Sequence, residues 1–351
     1  MRFIPAALIA AAALLPAIAS ADAIIGSWNI KHLGWNNEKA ITEVAHVAQH
    51  FDFLAVQELM DTTALAQLEE AVELASGEPW SSMASDDLGR STYREHYGFL
   101  WRESEIKYDS GAVVFLDSSD VFAREPYSAK FTALESGQQF TAATVHVVYG
   151  DGVSDRLPEV EALADYWQWL EEVYPGTPRL LMGDFNLRPS HEGWAELRNL
   201  GVTPAITQGA TTLGTTDGVW SNLYDNIWHS DQAPITDSGI LQFPDLLPGK
   251  HTAVRDSVSD HAPVWVAFGD GELKLTAFDG SEYDAANNST YCINLNDATA
   301  DQLAELPNVG PVRAKQIIEM QPWEDVGDLI QISGLGTASV QDIEDSGLVC
   351  P

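Results

Sequence analysis

The sequence predicts an α+β protein, with packed sheets and helices outside them, followed by a small all-α module. Three observations carry this. Residues 24–268 alternate short apolar runs with polar loops and a few amphipathic segments. Residues 269–289 change character, with Gly269, Gly271, Gly280, Asn287 and Asn288 around one apolar run at 273–278. Residues 290–351 then repeat a helix–turn–helix pattern.

In chain order, residues 1–21 read as a secretory signal. Arg2 supplies the positive start, 3–18 is almost wholly apolar, and Ala19-Ser20-Ala21 offers small residues for cleavage near Asp22. A membrane anchor is the alternative, but the apolar stretch is short against the roughly 20 residues a span needs. No membrane attachment is expected after cleavage. Strands are expected at 24–30, 53–57, 98–101, 112–116, 140–148, 179–182, 226–228 and 264–268. Helices are expected at 39–50, 62–76 and 158–173, the last burying Leu163, Trp167 and Leu170 on one face. The expected domains are therefore 22–268, a linker at 269–289 with an edge strand or hairpin, and 290–351. In the last, helices are expected after Asn296-Asp297-Ala298-Thr299 and through Met320, then at 326–332 and through Asp345. The two cysteines, Cys292 and Cys350, bracket this module and in an exported chain favour a disulfide over two free thiols.

The chemistry-bearing residues fall at strand ends. Leu180-Leu181 runs into Met182-Gly183-Asp184-Phe185-Asn186, a strand that would aim a carboxylate and an amide to one side. Asn29 closes the first strand and could position a phosphate oxygen or a metal-bound water. Glu58 ends the second and is a hard oxygen ligand of the kind Mg²⁺ prefers. His146 sits in an apolar strand, Asp225 opens another, and Asp260-His261 precedes a third. A lone buried histidine is more often structural and a lone strand-end Asp more often a cap. A whole series of such residues in this order is harder to dismiss.

The Asp184 motif, Val56-Gln57-Glu58 and Ser259-Asp260-His261-Ala262-Pro263-Val264 together resemble the endonuclease/exonuclease/phosphatase superfamily of metal-dependent phosphodiesterases. Leu88-Gly89-Arg90-Ser91-Thr92-Tyr93-Arg94-Glu95-His96-Tyr97, Arg124-Glu125-Pro126 and Lys130-Phe131 resemble its DNase I branch, and the likeness spans nearly all of 24–268. The resemblance implies a two-sheet α/β sandwich of the DNase I-like type. It implies two acid–histidine pairs, Glu95 with His146 and Asp225 with His261, one histidine as general base and the other as acid or phosphate-stabilising cation. Asp184 and Asn186 would hold water, phosphate or a metal. Glu58, Asn29 and Asp260 form the expected metal site, for Mg²⁺ with Mn²⁺ or Ca²⁺ as alternatives. Arg124, Tyr93 and Arg90 would contact substrate, and the products would be a 5′-phosphate and a 3′-hydroxyl. Departures from the branch are Met60 where an arginine is expected, the absence of cysteines before residue 292, and Tyr149-Gly150 after the His146 strand. The acidic run Asp117-Ser118-Ser119-Asp120 could hold Ca²⁺, although a solvated turn is the commoner meaning of such a run.

Residues 290–351 resemble helix-hairpin-helix domains of DNA-binding proteins, whose glycine-rich hairpins offer backbone N–H groups to phosphate. The first hairpin has Asn308 and Gly310, the second Gly334 and Gly336. The module's only cations, Arg313 and Lys315, directly follow the first, which is therefore the expected phosphate contact.

The balance of 18 basic against 52 acidic residues gives a net charge of −34, which slows encounter with a polyanion at low salt. Either the surface is adapted to salt, which screens that repulsion, or the substrate is small or uncharged; the motifs favour the first. The leading expectation is a secreted or periplasmic metal-dependent endonuclease acting on DNA with little sequence preference and with no obligate protein partner. The alternatives are a secreted phospholipid phosphodiesterase of sphingomyelinase type on the same scaffold, or a non-catalytic DNA-binding or uptake protein.

Overall fold

A computed structural model describes residues 23–35, 39–280, 293–304, 306–323, 325–346 and 348–349. The signal at 1–21 and both cysteines, Cys292 and Cys350, lie outside the described residues. The chain divides into two compact units between Phe278 and Asp279.

The first unit holds two six-stranded sheets. In chain order the strands are β1 (Ala23–Leu33), β2 (Phe53–Leu59), β3 (Trp80–Ala84), β4 (His96–Arg102), β5 (Ile106–Val114), β6 (Tyr127–Ala133), β7 (Gln138–His146), β8 (Arg179–Asp184), β9 (Thr203–Pro204), β10 (Asp225–His229), β11 (Ile235–Ile240) and β12 (Val264–Phe268). One sheet runs β11-β12-β1-β2-β4-β3 and the other β5-β6-β7-β8-β10-β9. Only the central pairs β1–β2 and β7–β8 are parallel. All eight expected strands are present in this set. β3, β6, β9 and β11 were not expected; β3 and β6 carry serines or a lysine that break up their apolar runs.

The period of two explains the layering. On β7 and β8, Phe140, Ala142, Leu180 and Met182 face the core between the sheets, where Phe53 meets Phe131 with ring centroids 4.8 Å apart. Their neighbours Ala143, Val145 and Leu181 face outward, against Leu163, Tyr166, Trp167 and Leu170. Those four belong to α3 (Val153–Val173), which begins five residues earlier than expected and carries Pro158 inside it, where the ring removes one i→i−4 hydrogen bond. The other helices of this unit are α1 (Ile41–Ala48), α2 (Thr62–Ser76), α4 (Ala195–Asn199) and α5 (His251–Ser257). Asp61 caps α2 by accepting the N–H of Thr63, and Gly77 ends it in the left-handed region.

The expected linker strand does not form in 269–280. This stretch instead fastens to the first unit: the N–H of Phe278 donates to the carbonyl of Leu246, and that of Thr276 to Nε2 of His50. Asp117 receives N–H groups from Ser119, Val121 and Phe122, so its carboxylate organises a turn rather than a Ca²⁺ site.

The second unit contains α6 (Ala300–Ala304), α7 (Pro311–Glu319), a 3-10 helix at Val326–Gln331 and α8 (Thr337–Ser346) around Leu303, Ala314, Ile317, Leu329 and Ile343. The repeat is thus imperfect: the second copy opens with a 3-10 turn. Asn308 adopts φ 64 and Gly334 φ +87, while Gly310 is the extended N-cap of α7. Arg313 does not reach outward as expected. Its guanidinium donates to the carbonyls of Asn308 and Ser333, tying the two hairpins together. Lys315 is exposed.

Candidate active site

Strand register assembles the site. Asp184 ends β8 opposite His146 of β7 on one side and Asp225 of β10 on the other. The parallel pairing of β1 and β2 brings Asn29 to the level of Gln57, next to Glu58. Two bulges aim these groups: the β1–β2 register shifts after Asn29, and Glu58 itself lies at φ 57. Gly183, at φ +147, permits the closest approach; a Cβ there would stand 1.9 Å from the carbonyl oxygen of Val145.

Both acid–histidine pairs are present. Nδ1 of His146 lies 2.9 Å from Oε1 of Glu95, and Nδ1 of His261 lies 2.8 Å from Oδ2 of Asp225. Each ring then turns its Nε2 to the same oxygen, Oδ2 of Asp184, at 3.6 Å. Orientation comes from the surrounding shell. Tyr97 Oη accepts the backbone N–H of His146. Ser259 donates to the carbonyl of Asn29 and accepts the N–H of His261. A carboxylate on one ring nitrogen fixes the tautomer and leaves the other nitrogen for chemistry.

The electrostatics are asymmetric. Burial opposes charge on His146, and the Glu95 carboxylate outweighs it, so the histidine's pKa is raised even though Arg124 stands nearby. His261 is raised further: burial is again opposed by carboxylates, here Asp225, Asp184 and Asp260. Burial also opposes ionisation of Glu95, but His146 and Arg124 hold its carboxyl below the ordinary value.

Asn29 departs from the expected role of ligand. Its amide donates to Glu58 and Asp184, and its Oδ1 accepts the N–H of Lys31, so it clamps two carboxylates together. Glu58 also accepts the N–H of His32 and lies 3.2 Å from that residue's Nε2. Asp260 stands apart from the cluster because Arg255 takes its carboxylate at 3.0 Å, with Lys31 at 3.7 Å. Asn186 is not part of an extended strand. It turns at φ 49, and its side chain donates to the carbonyl of Val147 while still facing the cavity. Arg124 lines the cavity, but it is 8% exposed and committed to Glu95 and the His146 carbonyl. Tyr93 lines it too, donating to Glu95. Arg90 lies outside the cavity lining, paired with Asp120.

The cavity is about 600 Å³. Its wall includes His32, Tyr149 and Arg255, which the sequence reading did not select as site residues. His32 could have been noticed three residues after Asn29; Arg255 has no local signal, since α5 was not expected. Among the described residues, Asp184, Asp225 and His261 offer atoms within 4.8 Å of one another that could hold a metal ion. The fit to a hard divalent cation rests on the two carboxylates: Oδ1 of Asp225 is buried and accepts no hydrogen bond, and Asp184 supplies the second beside the His261 ring.

Comparison with known proteins agrees with this geometry. Residues 289–346 match the helix-hairpin-helix motif family. A deoxyribonuclease from Thioalkalivibrio sp. (strain K90mix) is 46% identical over 347 residues, covering 96% of this chain and 95% of that protein. Deoxyribonuclease-1 of Homo sapiens is 28% identical over 285 residues, covering 74% of this chain and 96% of its own length. An endonuclease/exonuclease/phosphatase family protein from Bacteroides thetaiotaomicron shares the fold, with a TM-score of 0.55 at 16% identity over 72% of this chain and 98% of that one. Identity of 46% sustained over nearly the whole length leaves one conclusion: the chain belongs to the DNase I-like deoxyribonuclease family of the endonuclease/exonuclease/phosphatase superfamily.

Proposed function

We propose that this enzyme is an exported, divalent-metal-dependent endonuclease that hydrolyses DNA with little regard to sequence. The observation that carries the reading is the convergence of His146 and His261 on Asp184, each ring backed by its own carboxylate. Asp184 and Asp225, with Glu58 nearby, would hold Mg²⁺, or Mn²⁺ or Ca²⁺ in its place, and when bound the ion would stabilise charge on the phosphoryl oxygens.

The two histidines divide the proton transfers. Against burial and the nearby Arg124 cation, the Glu95 carboxylate on Nδ1 makes Nε2 of His146 the more basic and raises its pKa. That Nε2 takes a proton from water as the water oxygen bonds to phosphorus. The bond from phosphorus to the 3′ oxygen breaks, and His261, held protonated among carboxylates, returns a proton to that oxygen. The products are a 5′-phosphate and a 3′-hydroxyl.

The second unit would supply a second point of attachment to the DNA backbone and raise local affinity. Lys315 is the cation placed for it, since Arg313 is spent on the hairpins. Export by the segment at 1–21 would carry the chain out of the cytoplasm. A Cys292–Cys350 disulfide would then close the second unit; the pairing of Ile293 with Val349, one residue from each cysteine, supports it. No helix among the described residues is long and apolar enough to cross a membrane.

Plasmid DNA and sphingomyelin, each incubated with the protein in Mg²⁺ and then in chelator, test this reading. Nicking that stops with chelator and in His146→Ala is expected. Nicking that persists in His146→Ala would sink the mechanism, and cleavage of lipid alone would sink the substrate.

A further inference from the structure

One buried guanidinium ties together the chain at the strand ends that carry His146, Asp184 and Asp225. Arg156 stands in the first turn of α3 and is 5% exposed. Its Nε donates to the carbonyl of Tyr149 at 2.8 Å. Its Nη1 donates to the carbonyl of Asn186 and, at 3.3 Å, to the hydroxyl of Tyr224. The Tyr149 and Tyr224 rings lie 4.4 and 5.5 Å from the guanidinium carbon. Tyr149 follows His146 at the end of β7, Asn186 follows Asp184 at the end of β8, and Tyr224 immediately precedes Asp225 at the start of β10. These strands are neighbours in one sheet. Tyr149, Asn186 and Tyr224 all line the catalytic cavity, and Arg156 does not.

These partners include no carboxylate, whereas Arg124 and Arg255 at the same site are ion-paired. A guanidinium keeps its charge inside a protein, and burying it is costly unless its donors are satisfied. A cation satisfied by main-chain carbonyls fixes main chain. Nε and Nη1 belong to one rigid planar group, so covalent geometry sets the spacing of the two carbonyls they hold. The Asn186 turn needs such support, because φ 49 is an unfavourable conformation for a residue with a side chain. It is held from both sides: Arg156 takes its carbonyl, and its N–H donates to Oδ1 of Asp184 at 2.9 Å. With Oδ1 engaged, Oδ2 of Asp184 is the oxygen that faces both histidines.

We propose that Arg156 is a positioning residue for phosphodiester hydrolysis: it holds the Asn186 turn and, through the N–H of that turn, aims the Asp184 carboxylate at His146 and His261. This rests on the nuclease reading above and adds the residue that sets the spacing of the site. Lysine is no substitute, since one ammonium cannot span two carbonyls in a plane.

The test compares the full chain with Arg156→Lys, Arg156→Ala and Leu170→Ala. Thermal unfolding is measured for each, with kcat and KM for cleavage of a labelled DNA duplex well below the lowest Tm. Leu170 is buried in the same helix and lines no part of the cavity, so Leu170→Ala shows what lost stability alone does; its kcat should stay near the parent. Arg156→Lys should lower kcat roughly 10-fold and Arg156→Ala roughly 100-fold, the scale of a misplacement approaching 1 Å, with KM nearly unchanged. Ethylguanidinium should restore much of the kcat of Arg156→Ala and ethylammonium should not, because only the planar fork spans both carbonyls. Should Arg156→Ala fail to fold, Arg156→Lys decides. Parent kcat in Arg156→Lys overturns the proposal, as does a loss that falls equally on KM, an equal loss of kcat in Leu170→Ala, or equal rescue by ethylammonium. Each of these leaves the nuclease reading standing, whereas a parent chain that cleaves no DNA refutes that reading itself.

Discussion

Gly183→Ala probes the closest backbone approach in the site. A Cβ at Gly183 would lie 1.9 Å from the carbonyl oxygen of Val145, and φ there is +147. Carbon and oxygen need more than about 3 Å, so β7 and β8 must separate by roughly 1 Å. The backbone term costs about 1–2 kcal/mol and overpacking about 1–3 kcal/mol, together about 2–5 kcal/mol. For a unit of this size that lowers Tm by roughly 10 °C. The same displacement moves His146 against Asp184, which those two strands carry, and a misplacement of about 1 Å costs about 100-fold in rate. Gly137→Ala is the control. It also lies at positive φ, +69, but a Cβ there meets nothing within 4 Å, so only the backbone term of about 1 kcal/mol applies. Thermal unfolding and plasmid nicking of both variants give the comparison. A Gly183→Ala protein as stable as Gly137→Ala and as active as the parent would refute the argument.

Glu95→Gln and Asp225→Asn keep shape but remove the charge orienting each histidine; kcat should fall about 10²- to 10⁴-fold with KM changed only a few-fold, and equal loss in KM would point to a binding role instead. Burial lifts Asp52 to about 6 against the opposing pull of the Ile24 N–H and Arg102. The native state therefore binds this proton more tightly than the unfolded chain, so the contribution is full below pH ~4 and lost as pH rises through about 6. Urea unfolding should show the parent losing about 3 kcal/mol relative to Asp52→Asn between pH 4 and 7; a constant difference across that range would refute it. Arg313→Ala should destabilise the second unit, while Lys315→Ala should weaken DNA affinity alone, and removal of 290–351 should weaken affinity yet spare turnover on short strands. Nicking should hold or rise toward 1 M NaCl, where the screening length is about 3 Å; best activity in dilute buffer would defeat the salt-adaptation account of the charge.

Much of the site was legible because strand ends announce themselves. An apolar run that stops at a carboxylate, as at Asp184 and Glu58, or that starts just after a histidine, as at His261, marks a rim position whatever the fold. The resemblance then named the partners, Glu95 and Asp225, which no spacing rule connects to His146 and His261. What the sequence could not convey was occupancy. Arg124, Arg90, Arg313 and Asp260 look available as letters, yet each is taken by a neighbour distant in the chain or across a turn. Asn29 has the donors and acceptors of a ligand, and only its contacts make it a clamp. The elements that escaped detection were strands with polar interruptions, such as β3 and β6, and the short α5 that delivers Arg255.

By itself, then, the sequence determined the two-unit organisation, the central strands and the set of acids and histidines, because apolar periodicity and residue chemistry are local properties. Tertiary structure decided which of these share an atom. The parallel and antiparallel pairing of β8 with β7 and β10 brings His146 and Asp225 level with Asp184. The bulges at Asn29 and Glu58 aim side chains off the regular pleat, and close packing fixes which partners each buried charge has. Those choices depend on register between segments far apart in the chain, where hydrogen-bond geometry rather than composition sets the outcome.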